Sequence, residues 1–359
     1  MSSAKAYTTK TVKVGSLSIG GDNPVRLQTM WKEPLRADNI SDTVRRIELL
    51  VSYGSELLRF AVPDMESAEV LCALQEKVQI PLVADIHFDY KLALACLEKV
   101  QKIRINPGNI GSEAKVREVV DKAASNNAAI RVGVNGGSLP RNLRNEDDLA
   151  LAMVRAAEEE LNILESVNFS NVLFSLKSSD ISTTIRANEL FAERYDYPLH
   201  LGVTEAGPPI QGAVKNTAAL VPLLKKGIGG TIRVSLSGAC EDELVAGREI
   251  LAAAGLGTRG VNIISCPRCG RKGFDVHGFL HKVEPWLLSL DDTITVAIMG
   301  CVVNGPEEAR HADVGITGTG EKTLIFRSGQ IVRRVTNEEA EKAFKEEVDK
   351  LCKERREKR

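Results

Sequence analysis

Short runs of apolar residues alternate with amphipathic stretches along the first two-thirds of the chain. Eight runs stand out, at residues 25–30, 56–62, 81–85, 102–105, 129–134, 171–177, 199–203 and 231–235. Between them lie stretches with helical spacing of apolar positions, such as 42–53, 66–78, 113–125 and 147–167, and 241–254 follows the eighth run. Near-continuous apolar strands separated by helices predict a parallel sheet covered on both faces. Eight such units in this length fit a closed (β/α)8 TIM barrel better than an open sheet. After Gly257-Thr258-Arg259-Gly260 the pattern changes. Strands are expected at 261–264, 293–299, 313–316, 323–326 and 330–335, with a hairpin turn at Ser328-Gly329. Helices are expected from near Gly273 towards Leu288 and over 338–354. The expectation is an α/β chain in two parts: a barrel over 1–256 and a small α+β domain over 257–359.

The ends of the predicted barrel strands carry charge where branched apolar side chains would suffice. Arg59, Arg104, Arg131, Lys177 and Arg233 fall on five different strands, joined near the ends by His87, Asn106, Asn135 and Ser235. Barrel chemistry sits on the loops after the strands, and buried cations are costly unless paired. Cations converging on one mouth therefore predict an anion of more than one charge, such as a diphosphate, bound through guanidinium forks. A single arginine could instead pair with Asp85 or Glu205, so the group carries more weight than any member. Glu205, set among these cations, is expected to be ionised and to act as a general acid or to balance charge.

Cysteine changes the picture of the second domain. Cys266-Pro267-Arg268-Cys269-Gly270-Arg271 places two thiols on one tight turn, and Gly300-Cys301 adds a third, followed by Asn304-Gly305-Pro306. Structural zinc usually takes ligands in two short pairs. Three cysteines without a second pair suit an iron–sulfur cluster with one iron left for another ligand, and Glu307-Glu308 lies close by. Structural zinc and inert buried thiols are the alternatives. Cys72, Cys96, Cys240 and Cys352 fall in or beside helical patterns and read as packing residues.

Charge is balanced, 47 Lys and Arg against 48 Asp and Glu, so nothing global argues for nucleic acid or an anionic membrane. The polar stretch 1–13 has no signal-peptide character, and no apolar stretch reaches the length of a membrane span. Seven unevenly spaced cysteines do not resemble a disulfide framework. A reducing cytoplasm is the expected compartment.

Several segments together resemble the bacterial 4-hydroxy-3-methylbut-2-enyl diphosphate synthase family, iron–sulfur enzymes of the non-mevalonate isoprenoid pathway. They are Val62-Pro63-Asp64-Met65, Ala84-Asp85-Ile86-His87-Phe88, Ile105-Asn106-Pro107-Gly108-Asn109, Val132-Gly133-Val134-Asn135 and Leu201-Gly202-Val203-Thr204-Glu205-Ala206-Gly207. Thr231-Ile232-Arg233-Val234-Ser235 and the two cysteine motifs complete the set. The resemblance implies a [4Fe–4S] cluster held by Cys266, Cys269, Cys301 and Glu308. It implies reductive opening and dehydration of 2-C-methyl-D-erythritol 2,4-cyclodiphosphate, with Glu205 as proton donor and flavodoxin or ferredoxin as electron source. It also implies a head-to-tail homodimer in which each cluster domain caps its partner's barrel. The chain departs from the family pattern at Glu307, where Gly is usual, in the loop Met30-Trp31-Lys32-Glu33-Pro34, and at Gly230, which replaces a common Asp. Other classes remain open: a barrel hydrolase or transferase with a structural zinc module, and a non-catalytic iron–sulfur sensor of an anionic signal.

Overall fold

The computed structural model describes residues 7–144, 146–257, 260–267, 273–301 and 309–357. The contacts within the chain divide it into two units after Gly257.

The first unit opens with a hairpin absent from the sequence-based expectation: β1 (Val12–Val14) paired antiparallel with β2 (Leu17–Ile19). Eight parallel strands follow: β3 (Arg26–Met30), β4 (Leu57–Ala61), β5 (Leu82–Asp85), β6 (Lys102–Ile105), β7 (Ala129–Asn135), β8 (Val172–Lys177), β9 (His200–Leu201) and β10 (Thr231–Ile232). They pair in sequence order, β10 returns to pair with β3, and a parallel bridge between Phe174 and Leu199 closes β8 onto β9. The predicted TIM barrel is therefore what forms. Its last two strands are only two residues long, shorter than the apolar runs that announced them.

Side-chain alternation sends one set of each strand's residues inward and the other set against the surrounding helices. Val12, Val14 and Ile19 of the hairpin are buried against Leu57, Val83, Ala129 and Leu173 near the starts of their strands, forming an apolar floor. Each fully buried side chain of this kind contributes roughly 1.5–3 kcal/mol. Above the floor the interior turns polar. The helices behind β4, β5, β7 and β8 start on aspartates whose carboxylates accept backbone N–H bonds: Asp64 from Ser67, Asp89 from Lys91, Asp148 from Leu151 and Asp180 from Thr183. These caps fix the points at which the mouth loops turn into helix.

The second unit is a five-stranded sheet in order β11 (Val261–Ser265), β12 (Ile294–Ile298), β13 (Val314–Gly318), β14 (Lys322–Arg327) and β15 (Gln330–Thr336). The first three are parallel and the last two antiparallel. β14 and β15 turn at Ser328 and Gly329, both with positive φ as a two-residue hairpin requires. Helices Val276–Leu288 and Ala340–Glu357 bury Phe279, Val283, Phe344 and Val348 against Val296, Ile316 and Ile325. Ala297, Met299 and Phe326 gather instead with Ala309, Ala312 and the half-buried Cys266.

Candidate functional site

A cavity of about 130 Å³ occupies the barrel mouth, and eleven residues line it. Nine are Arg59, His87, Arg104, Arg131, Asn135, Lys177 and Arg233, with Asp85 and Ser235; Ser175 and Thr204 complete the wall. The structure thus brings eight of the nine expected anion-binding residues to one place. The ninth, Asn106, accepts the Gly133 N–H at 3.0 Å through Oδ1 and lines an adjoining cavity of about 610 Å³, shared with His87, Arg104 and Asn135. Glu205 lines neither cavity. It is exposed beside Thr204, in a left-handed conformation with φ of 53°.

Two glycines make room for the cations. A Cβ on Gly133 would stand 2.5 Å from Arg104 Nε, and one on Gly202 would stand 2.6 Å from Lys177 Nζ. Arg104 uses the space to donate from Nη2 to Gly133 O at 3.2 Å. The β7 strand carrying Arg131, Gly133 and Asn135 inward thus alternates a long cation, a gap and an amide.

The carboxylates of the site are few and already engaged. Asp85 meets Arg104 at 3.5 Å, Arg59 at 3.7 Å and His87 Nε2 at 3.6 Å. Burial works to raise its carboxyl, but the His87 hydrogen bond and the charges of Arg59, Arg104 and Arg131 hold it well below the carboxylate range. Glu243, fully buried on helix Cys240–Ala253, accepts from Arg233 Nε at 3.3 Å and Nη2 at 3.1 Å, from Thr29 Oγ1 at 2.7 Å and from the Leu236 N–H at 3.1 Å. Lys32 Nζ joins it at 3.0 Å, so the divergent loop after β3 is tied to the last barrel loop. Arg131 donates to Ser175 Oγ at 3.0 Å, while its Nε and Nη2 are buried without a partner. Burial pushes the Arg59 guanidinium down to about 10 and carries Arg131 and Lys177 well below their ordinary values, with neighbouring cations adding to the effect. Cations that suppress one another in this way lower their energy by taking an anion between them.

Deeper in the barrel are residues that the sequence reading did not single out. Gln28, Lys102 and His200 are each fully buried, and Lys102 Nζ, His200 Nε2 and both polar atoms of the Gln28 amide lack hydrogen-bond partners. The signal was available. Lys102 begins a run of otherwise apolar alternation, two residues before Arg104 and on the same side of its strand.

In the second unit, Cys266 follows β11 and its N–H donates to Ile298 O at 3.1 Å, at the end of the neighbouring parallel strand. Gly300 then lies close: a Cβ there would be 3.4 Å from Cys266 Sγ, and Cys301 is the next residue. Both residues are half-buried. Cys269, Glu307 and Glu308 lie outside the described residues, among which no three metal-ligating side chains gather. Two thiols at adjacent strand ends, with an apolar face beneath Cys266, suit a sulfur-ligated group, because soft thiolates select zinc or iron–sulfur.

A (β/α)8 barrel whose mouth is lined by basic side chains, followed by a small α/β unit with two cysteines after strand ends, defines the class of this chain. The model of the GcpE TIM-barrel domain matches residues 9–248 and that of the GcpE protein C-terminal domain residues 262–350, and the chain belongs to this family. Similar proteins include one from Treponema denticola, 48% identical with 94% of this chain and 96% of that protein covered. Another, from Geobacter sulfurreducens, is 45% identical with 97% and 99% covered. Both are named 4-hydroxy-3-methylbut-2-en-1-yl diphosphate synthase (flavodoxin). Among solved structures, a dihydropteroate synthase from Stenotrophomonas maltophilia with active-site-bound imidazole aligns at TM-score 0.51 and 16% identity, over 70% of this chain and all of that one. At that identity the likeness concerns the barrel fold alone.

Proposed function

We infer that this chain catalyses the reaction for which its relatives are named: reductive ring opening and dehydration of 2-C-methyl-D-erythritol 2,4-cyclodiphosphate to 4-hydroxy-3-methylbut-2-enyl diphosphate. The carrying observation is the mouth cavity, where five basic side chains, four on strands and Arg233 just after β10, surround a space lined by one carboxylate, Asp85. Arg59, Arg104, Arg131, Lys177 and Arg233 would bind the two phosphates, and Asn135, Ser235 and His87 would orient them. Asn106 supports that wall by holding the Gly133 N–H. Multidentate guanidinium contacts fix a diphosphate in one pose and so convert binding into orientation. Glu205, beside Thr204, would take a proton from solvent and pass it from its carboxyl to the departing hydroxyl oxygen.

The proposed cofactor is a [4Fe–4S] cluster held by Cys266, Cys269, Cys301 and Glu308. When bound it would supply two electrons singly and a Lewis-acidic iron to the substrate oxygen. Flavodoxin, named for the relatives, or ferredoxin would replenish those electrons. A head-to-tail homodimer fits the exposed apolar side chains on the mouth side of the barrel, Met65, Phe88 and Ile210, each at the start of the segment after a strand. Among the described residues no helix is long and apolar enough to cross a membrane, and no nucleic-acid partner is proposed. The proposed compartment is the cytoplasm, where free thiols are kept reduced.

The test is anaerobic purification with iron, sulfide and zinc measured per chain, followed by turnover of the cyclodiphosphate with reduced viologen. About four irons and four sulfides per chain, with turnover lost in Glu308→Ala, are expected. One zinc without sulfide would sink the reading in favour of a barrel transferase with a structural metal.

A further inference from the structure

The interior beneath the mouth cavity holds a fully buried lysine for which the binding of an anion above it gives no contact. Lys102 has no solvent exposure, and Nζ has no hydrogen-bond partner. It shares the barrel interior with Arg59 on β4 and Arg131 on β7, whose charges oppose its own, and with His200 on β9, which its charge would oppose in turn. Arg104 on β6, Lys177 on β8 and Arg233 just after β10 are the basic side chains lining the cavity above it. Of the buried carboxylates described above, Asp85 on β5 is committed to Arg59, Arg104 and His87, and Glu243 on helix Cys240–Ala253 to Arg233, Lys32 and Thr29. Below, the hairpin offers only Val12, Val14 and Ile19. An ammonium in such a place is cut off from bulk solvent and has no carboxylate within hydrogen-bond reach, which favours the neutral amine.

A doubly charged anion between the mouth cations reverses the balance. It cancels the repulsion that Arg131 and Arg59 exert on Lys102 and adds a long-range attraction in a medium of low dielectric. Resting on the anion-site reading above, we propose that Lys102 is the proton acceptor of the barrel: anion binding at the mouth is accompanied by transfer of a proton from solvent to Lys102 Nζ. No other bond forms or breaks, and the proton returns to solvent on release. The arrangement lets the site accept a polyanion with six interior cations, without carrying all six charges in the empty barrel.

Sulfate is the probe, because it stays doubly charged across the neutral range and any proton taken up belongs to the protein. Calorimetric titration of the full chain in two buffers of different ionisation enthalpy gives the proton number. About one proton per sulfate is expected, and by linkage the sulfate Kd should rise about tenfold per pH unit over the range in which Lys102 is neutral when empty and charged when occupied. Lys102→Met should bind sulfate with a proton number near zero and a flat pH profile. Proton uptake that persists in Lys102→Met, or is absent from the wild-type chain, overturns the proposal. His200→Asn, expected to keep the wild-type proton number, separates the lysine from the other buried base should Lys102→Met fold poorly. Sulfate that does not bind at all would instead overturn the anion site on which the proposal rests.

Discussion

At the scale of single residues, the mouth depends on what is missing from β7 and from the chain after β9. Gly133 and Gly202 both leave space for a cation, yet a methyl group at each should have different consequences. At Gly133 the obstacle is the far end of Arg104, which can swing away, so Gly133→Ala should fold and lose a guanidinium contact with the substrate. A charged hydrogen bond is worth about 1.5–3 kcal/mol, so the KM for the cyclodiphosphate should rise about tenfold or more with little change in Tm. At Gly202 the added carbon also meets Arg233 O at 2.5 Å, and backbone cannot swing away. Gly202→Ala should lower Tm by several degrees, reflecting an overpacking cost of about 1–3 kcal/mol. Steady-state kinetics and thermal melts on the two variants separate these outcomes, and equal effects on both would contradict the assignment.

At the scale of elements, helix Leu149–Ser166 supports the mouth from behind. Glu160 reaches from it to accept the Gly108 N–H at 2.7 Å, holding the turn Pro107–Ile110 that follows β6. Burial raises its carboxyl to about 7, against the lowering effect of that bond. The folded state therefore holds a proton that the unfolded chain has released, and the stability linked to it is lost as pH rises from about 4.5 towards 7 and beyond. Glu160→Gln, which keeps an oxygen for Gly108 and cannot ionise, should be more stable than the parent at pH 8 by about 1–3 kcal/mol and indistinguishable near pH 5. Denaturant melts at the two pH values check this, and a gain that is the same at both would refute it. This contact also shows where the sequence stops being legible. The eight apolar runs and the cations at their ends could be read from period and composition, because burial on both faces and charge at strand ends leave a local trace. The partner of Gly108 lies 52 positions away, and nothing local marks Glu160 among the acidic residues 158–160. The hairpin Val12–Ile19 escaped for a related reason: its strands are three residues long, and their apolar positions have meaning only against the floor that Leu57, Val83, Ala129 and Leu173 provide. Gly230 belongs with it, since a Cβ there would stand 2.8 Å from Ile19 Cγ2.

At the scale of the whole molecule, the two parts of the proposed active site lie in separate units of one chain, the cations in 7–257 and the thiols in 260–357. A (β/α)8 barrel delivers each helix back to the end of the barrel opposite the mouth. By that rule the chain leaves helix Cys240–Ala253 at the barrel end opposite the mouth. In the head-to-tail pair proposed above, each mouth would be met by the other chain's thiols. The arrangement predicts complementation. Arg131→Met should abolish substrate binding in its own barrel, and Cys301→Ser should abolish the cluster in its own second domain, so each variant alone should be inactive. Co-expressed with separable tags and purified as the mixed dimer, the two should regain about half of the wild-type activity per dimer: one of the two sites then combines an intact barrel with an intact cluster domain, and the other combines both lesions. A chain that completes its own site would give no activity in the mixed dimer, since every barrel and cluster pair would then carry one lesion. Turnover measured on the doubly tagged species decides between the two geometries, because folding defects in either variant would already appear in its own homodimer.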